Sequence, residues 1–200
     1  MPFVFAKTSR RMIPQARQAV RPFAKSVGEL VWAYNFAHAS LGRFFARVVQ
    51  ENNPEFGRAI WLALRMDSAQ HDILIAALEV AKPKDRFMAR VVKNVLWAAK
   101  KIDKLRGLRN DAVHMATGIN AQHPQWEVVV DPAQTSASRA ARLQAMKDMK
   151  QTFRLGRGDL YQLGAYVNFQ VLVISQKKWY PNIQTPLPKR PRLLCPQARG

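Results

Sequence analysis

Two hundred residues suffice for one domain with a sizeable core, and 48% of them are apolar. Thirty-two Lys and Arg against thirteen Asp and Glu give a net charge of +19, which argues against a small neutral substrate and for a polyanion such as RNA, DNA or an acidic protein. The lone Cys195 excludes a disulfide framework, and no window has the apolar length of a membrane span, so a cytoplasmic protein without a membrane partner is expected.

The first segment, residues 1–25, carries Lys7, Arg10, Arg11, Arg17, Arg21 and Lys25 and no acid. It lacks the continuous apolar stretch of a secretory signal. Pro2, Pro14 and Pro22 interrupt any long amphipathic helix, so the segment reads as a flexible basic arm. Residues 26–178 read as the folded domain. Its opening, Ser26-Val27-Gly28-Glu29, has the form of a capping box, in which each side chain satisfies the other residue's orphan amide. A helix to about residue 50 follows, with Val31, Tyr34, His38, Leu41, Phe45 and Val48 at helical spacing.

Asn53-Pro54 is a second start signal, a capping residue followed by proline at the first helical position. The spacing of Ile60, Leu64, Asp67, His71, Leu74 and Leu78 predicts one helix from there to about residue 81. Pro83 separates it from a third helix over about 84–115, with Phe87 or Val91, then Val95, Ala99 and Ile102 as its apolar stripe. Gly118 offers a stop. Trp126 to Val130, bounded by Pro124 and Pro132, is β-prone and predicts a small hairpin insertion over about 119–132. A fourth helix is expected over about 138–154, broken by Gly156 and Gly158. Asp159 should then cap a fifth, to about residue 178. Residues 179–200, rich in proline and free of acids, read as an extended, solvated basic tail. The expected fold is mainly α, an up-and-down bundle of four to five helices with a small β-hairpin insertion.

Chemistry concentrates at the end of the third helix, in Arg109-Asn110-Asp111-Ala112-Val113-His114. Arginine holds a phosphate bidentately and keeps its charge. Histidine moves a proton near neutral pH. Arg109 also extends the buried stripe, seven residues after Ile102 and four before Val113, and a charge there needs a partner or a task. The structural alternative is that Arg109 pairs with Asp67 or Asp111 and His114 merely ends the helix.

This segment resembles the signature of the HEPN superfamily: an Arg, a polar residue, a short spacer and a His. The resemblance, extended over about residues 26–178, implies a helical and usually dimeric protein. Many such proteins are metal-independent endoribonucleases of toxin–antitoxin, abortive-infection or RNA-processing systems; others only bind nucleotides, RNA or partners. It implies RNA as substrate, a homodimer, an antitoxin or other protein partner, and no cofactor. In the implied mechanism His114 takes the proton of a 2′-hydroxyl or protonates the leaving 5′-oxygen. Arg109 neutralises charge growing on the phosphoryl oxygens, and Asn110 binds a phosphate or orients His114. The product would be a 2′,3′-cyclic phosphate, formed without metal.

Positions five apart on a straight helix differ by roughly 140°, so Arg109 and His114 should not share a face. A distortion near Gly107, the reach of arginine, or a site shared across a two-fold axis would each bring them together. Asp67 and His71, four apart on an apolar stripe, read as a mutually satisfied buried pair or as support for the same site. His38 reads as a core histidine. His38, His71, His114 and Asp67 could in principle gather around a metal, but the paired Glu-x-x-His pattern of di-iron bundles is absent.

Lys93, Lys100, Lys101, Lys104 and Arg106 on the third helix, with Arg139, Arg142, Lys147, Lys150 and Arg154 on the fourth, have few acids interleaved and read as an RNA-tracking surface. Trp97, Trp126 and Trp179 offer stacking for unpaired bases, Trp97 more plausibly as core. Three functions follow: an endoribonuclease, a non-catalytic module of the same fold, and a DNA-binding regulator. The last ranks lowest because no helix-turn-helix pattern is present.

Overall fold

The protein is described by a computed structural model covering residues 12–49, 53–80, 83, 85–115, 117–120, 127–130, 135–146, 148–179 and 186–199. It is mainly helical. Helix α1 runs Met12–Val49, α2 Pro54–Ala63, α3 Asp67–Val80, α4 Arg86–His114, α5 Ala137–Gln144, α6 Met149–Trp179 and α7 Pro196–Arg199. Two four-residue strands, β1 Thr117–Asn120 and β2 Glu127–Val130, pair antiparallel with Thr117 opposite Val130. The residues between them, Trp126 and His123 included, lie outside the described set. Among the described residues no helix is long and apolar enough to cross a membrane.

The core lies where α1, α4 and α6 meet, with Tyr34, Phe44, Phe45, Phe153, Ile102 and Leu160 among its fully buried side chains. Phe23 of α1 faces Phe153 of α6, and Phe36 faces Tyr161, so α1 and α6 run the same way. Arg109 of α4 covers Tyr34 while Trp97 meets Tyr166, so α4 runs opposite to both. α4 starts within two residues of the expected 84, and the Asp85 carboxylate caps it by accepting from the Met88 N–H at 2.7 Å.

Four boundaries differ from the sequence reading, each for a packing reason. Helix α1 begins at Met12, not Ser26, and Pro22 lies inside it. Phe23 is buried against Phe153, so tertiary packing holds a turn that propensity alone would lose. Ser26 is no cap; its hydroxyl donates back to the Pro22 carbonyl at 3.0 Å. The flexible arm therefore does not extend to residue 25, and residues 1–11 lie outside the described set.

The predicted helix 54–81 is two helices. Leu64 leaves the helical region at φ −78° and ψ 111°, and Gln70 Nε2 donates to the freed carbonyls of Trp61 at 2.7 Å and Leu64 at 2.9 Å. A glutamine that satisfies two orphan carbonyls stabilises the break. By contrast α4 stops at His114, within one residue of the expected end, with Met115 extended at ψ 133° and Gly118 in β1.

Gly156 and Gly158 do not break a helix. The break falls before α6, where the Asp148 carboxylate accepts from the Gln151 N–H at 2.9 Å. Gly156 instead permits close approach: a Cβ there would lie 2.5 Å from Leu108 Cδ2 of α4. Nor does Asp159 start a helix. It sits within α6, 1% exposed, and accepts from the backbone N–H groups of Leu194 at 2.9 Å and Cys195 at 2.8 Å. That carboxylate, with buried Leu193, Cys195 and Ala198, docks the proline-rich segment on α4 and α6, so residues 186–199 are not a solvated tail. Arg190 lies over Trp97, 5.0 Å from its ring centre, so that tryptophan is covered rather than open to a base.

A close backbone approach between α1 and α2 tests this packing. A Cβ on Gly57 of α2 would lie 2.7 Å from Ala46 Cα and 2.9 Å from Ala46 O of α1, backbone atoms that cannot turn aside. Gly57→Ala should therefore cost about 2–3 kcal/mol. Gly107→Ala, where nothing lies within 4 Å, should add up to about 1 kcal/mol by helix propensity. Urea denaturation of both variants checks the pair, and equal midpoints would contradict the α1–α2 contact.

Candidate functional site

α4 runs unbroken through Gly107 to His114, so the angular separation of Arg109 and His114 is maintained. Arg109 turns inward. Its guanidinium donates to the Asp67 carboxylate of α3 and lies 4.5 Å from the Tyr34 ring centre. Its Nε is buried with no hydrogen-bond partner among the described residues. His114 is exposed at the helix end, and its carbonyl accepts from Arg139 Nη1 at 3.3 Å. The two residues share no described partner.

Asp111 faces α5. It is buried and accepts from Arg142 Nε at 2.8 Å and Nη2 at 2.6 Å, and from Arg139 Nε at 3.3 Å. These bonds, Arg142 foremost, hold its carboxyl below the usual carboxylate range against the opposing effect of burial. Arg139 and Arg142, expected as RNA contacts, thus have a structural duty. Asn110 is half-buried and, with Arg109, Asp67, Arg65, Lys104 and Arg106, lines an open cavity of about 680 Å³ between α3 and α4.

Asp67 and His71 do not satisfy each other. Asp67 belongs to Arg109, while His71 Nδ1 lies 3.7 Å from Asp103 Oδ1, and neither ring nitrogen of His71 has a hydrogen-bond partner among the described residues. His71 instead meets His38, ring centres 5.6 Å apart, and His38 stacks on Tyr34 at 5.7 Å and touches Trp61 at 5.2 Å. Both histidines are held neutral. Burial pushes His38 down to about 4, with Asp67 opposing and His71 and Arg109 assisting. Burial likewise lowers His71, against the pull of Asp103. Burial raises the Tyr34 hydroxyl to about 12. Among the described residues no three His, Cys, Asp or Glu side chains gather as metal ligands.

The sequence thus missed a convergence: Tyr34 lies against Arg109, the partner of Asp67, and His38 meets Tyr34, Trp61 and His71. Its only trace was Tyr34 and His38, one turn apart on the α1 stripe. The expected RNA surface also divides. Lys93, Lys100 and Lys104 are exposed and recur along one side of α4, with Lys100 3.7 Å from Glu79. Lys101 reaches the Arg199 carbonyl at 3.4 Å, and Arg106 turns to Asp103 at 3.0 Å on the Arg109 side. Comparison with known protein families, with curated proteins and with solved structures finds no match for this chain.

Proposed function

We propose that this chain is an RNA-binding helical module whose HEPN-like segment, within a single copy, is structural rather than catalytic. The finer architecture in this reading is an up-and-down bundle carrying a β-hairpin insertion. One observation carries the function: most of the described acids are already engaged by a base or a backbone amide of the chain itself. Asp67, Asp103, Asp111, Glu29, Glu55 and Glu79 pair with Arg109, Arg106, Arg139 and Arg142, Arg157, Arg58 and Lys100 respectively. Asp85, Asp148 and Asp159 are engaged by backbone amides. Little negative charge is left to offset exposed bases such as Lys93, Lys150 and Arg154. A surface of that kind tracks phosphates without reading bases.

A second reading, the metal-independent endoribonuclease, rests on the cavity beside Arg109 and Asn110 and on the exposure of His114. It requires Arg109 to exchange Asp67 for a phosphate and His114 to arrive from a second copy. A gel assay on single-stranded and structured RNA in EDTA, with Arg109→Ala and His114→Ala, separates the two. The binding reading expects shifted, intact RNA in every lane and an affinity that falls steeply with salt, by about −0.7 in log–log slope per contacted phosphate on single strands. Cutting by the native chain alone, leaving cyclic-phosphate ends, would replace it with the nuclease.

A further inference from the structure

Helices α1 and α2 meet closely at two points. Gly57 brings the backbone of α2 against Ala46 of α1. One turn earlier on α1, Trp61 lies over Gly42, where a Cβ would stand 2.7 Å from its Nε1. α2 ends two residues later at Ala63, and Gln70 fixes that break by donating to the Trp61 and Leu64 carbonyls. Beside these contacts the small residues Ala39, Gly42 and Ala46, on one face of α1, leave a cavity of about 660 Å³. Small-molecule sites span roughly 300–1,000 Å³.

The cavity is uncharged below and basic above. Its floor includes Trp61, which is buried, and His38, whose ring is neutral and whose Nε2 is shielded from water. Gln70 also lines it, but its amide nitrogen is committed to the two carbonyls. The floor therefore offers apolar contact and no charge. At the mouth stand Arg43, Arg47 and Arg58, with Glu55 as the acid and Asn35 as the neutral polar group. Glu55 lies 3.8 Å from Arg58 and both side chains are largely exposed, so that pair holds weakly. Arg43 Nη1 donates to Asn168 Oδ1 of α6 at 2.8 Å, a neutral partner that aims the guanidinium without consuming its charge. Arg47 has no ion-pair partner among the described residues. Positive charge is thus in excess at the entrance to an uncharged chamber.

A neutral ligand would leave that mouth unused, and a fully polar anion would waste the floor. We propose that the cavity binds a small amphipathic anion, its flat apolar body inside and its carboxylate or phosphate held by Arg43, Arg47 and Arg58. Arginine grips either group bidentately. The described lining residues come from α1, α2, α3 and α6, so the site is separate from the Arg109–His114 segment of α4. It is independent of the RNA-binding reading and survives that reading's failure.

Calorimetric titration of the full chain with 1-naphthoate, 1-naphthyl phosphate and the neutral 1-naphthamide tests the site. At least one anion should bind one-to-one, about tenfold more tightly than the amide, and the tighter of the two identifies the group the arginines prefer. The anion's affinity should fall with salt, because the mouth is exposed. Arg47→Met should weaken the anion about threefold to fivefold and leave the amide unchanged. Ala39→Leu, at an exposed lining position, should weaken anion and amide alike by filling the chamber, with RNA affinity retained. Lys93→Met, on α4, should alter neither probe, and far-ultraviolet dichroism should be native in all three variants. Failure of both anions to bind one-to-one overturns the proposal, as does an amide that binds as tightly as they do. Anion binding that survives both Arg47→Met and Ala39→Leu also overturns it, reducing the effect to general attraction by a chain of net charge +19. So does RNA that displaces the anion and loses affinity in Ala39→Leu, which would make the cavity part of the RNA surface.

Discussion

Acidification from pH 7 to pH 4 should cost the fold about 3 kcal/mol through His38 alone. In the unfolded chain this imidazole titrates at its ordinary value of 6.5; in the fold, burial lowers it to about 4. Between those values the unfolded chain binds a proton that the folded chain refuses. Stability is therefore fully present above the unfolded value and is lost as pH falls, at about 1.4 kcal/mol per pH unit. The refusal has a visible cause. The ring is enclosed by Tyr34, Trp61 and His71, with the Arg109 guanidinium nearby, and its Nε2 has no described partner.

His71, lowered by burial in the same cluster, steepens the loss in the same window. Asp111 acts later. Its folded value is depressed, so its contribution holds above the unfolded carboxylate range and disappears as pH falls through the folded value, below most of the histidine window. Urea midpoints at several pH values between 7 and 4 measure this. His38→Gln should flatten the pH slope while lowering stability at pH 7 only modestly. An unchanged slope in that variant would mean that the imidazole reaches water.

Helix existence was legible from apolar spacing, and α4 from both its stripe and the Pro83 that precedes it. What misled was local chemistry read without its tertiary partner. Pro22, Gly156, Gly158 and Asp159 are each breakers or caps in an isolated chain. Here Phe23 packing holds the helix across the proline, Leu108 of α4 occupies the space that Gly156 leaves, and Asp159 faces the amides of Leu194 and Cys195. Phe153, against which Phe23 packs, and Leu108, Leu194 and Cys195 all lie far along the chain, so no window of sequence contains them. The candidate site was half-legible for the same reason. Asp67 was foreseeable as a partner of Arg109 because an arginine entering an apolar stripe needs an anion. That Tyr34 would cover the guanidinium, and that His38 would meet both Tyr34 and His71, required the α1–α3–α4 crossing.

Removing one side of that pair should be far more damaging than removing the other. In Asp67→Ala the Arg109 guanidinium, with a side chain 19% exposed, loses its anion while remaining under Tyr34 with an unpartnered Nε. Breaking a fully buried pair this way costs about 3–5 kcal/mol; the 39% exposure of Asp67 reduces the expectation to about 2 kcal/mol. Arg109→Ala leaves a carboxylate that water can reach and should cost about 1 kcal/mol, chiefly the lost cover of Tyr34. Arg109→Met, which keeps the cover, should be nearly neutral.

RNA binding then reports what the arginine is for. If Asp67 consumes its charge, Arg109→Ala changes RNA affinity little, whereas Asp67→Ala frees a cation at the mouth of the α3–α4 cavity and tightens binding up to about tenfold, the worth of one charge-assisted contact. The opposite pattern, RNA binding abolished by Arg109→Ala and unmoved by Asp67→Ala, would show the guanidinium leaving its carboxylate for a phosphate. Asp67 would then be the group that holds Arg109 in place until RNA arrives.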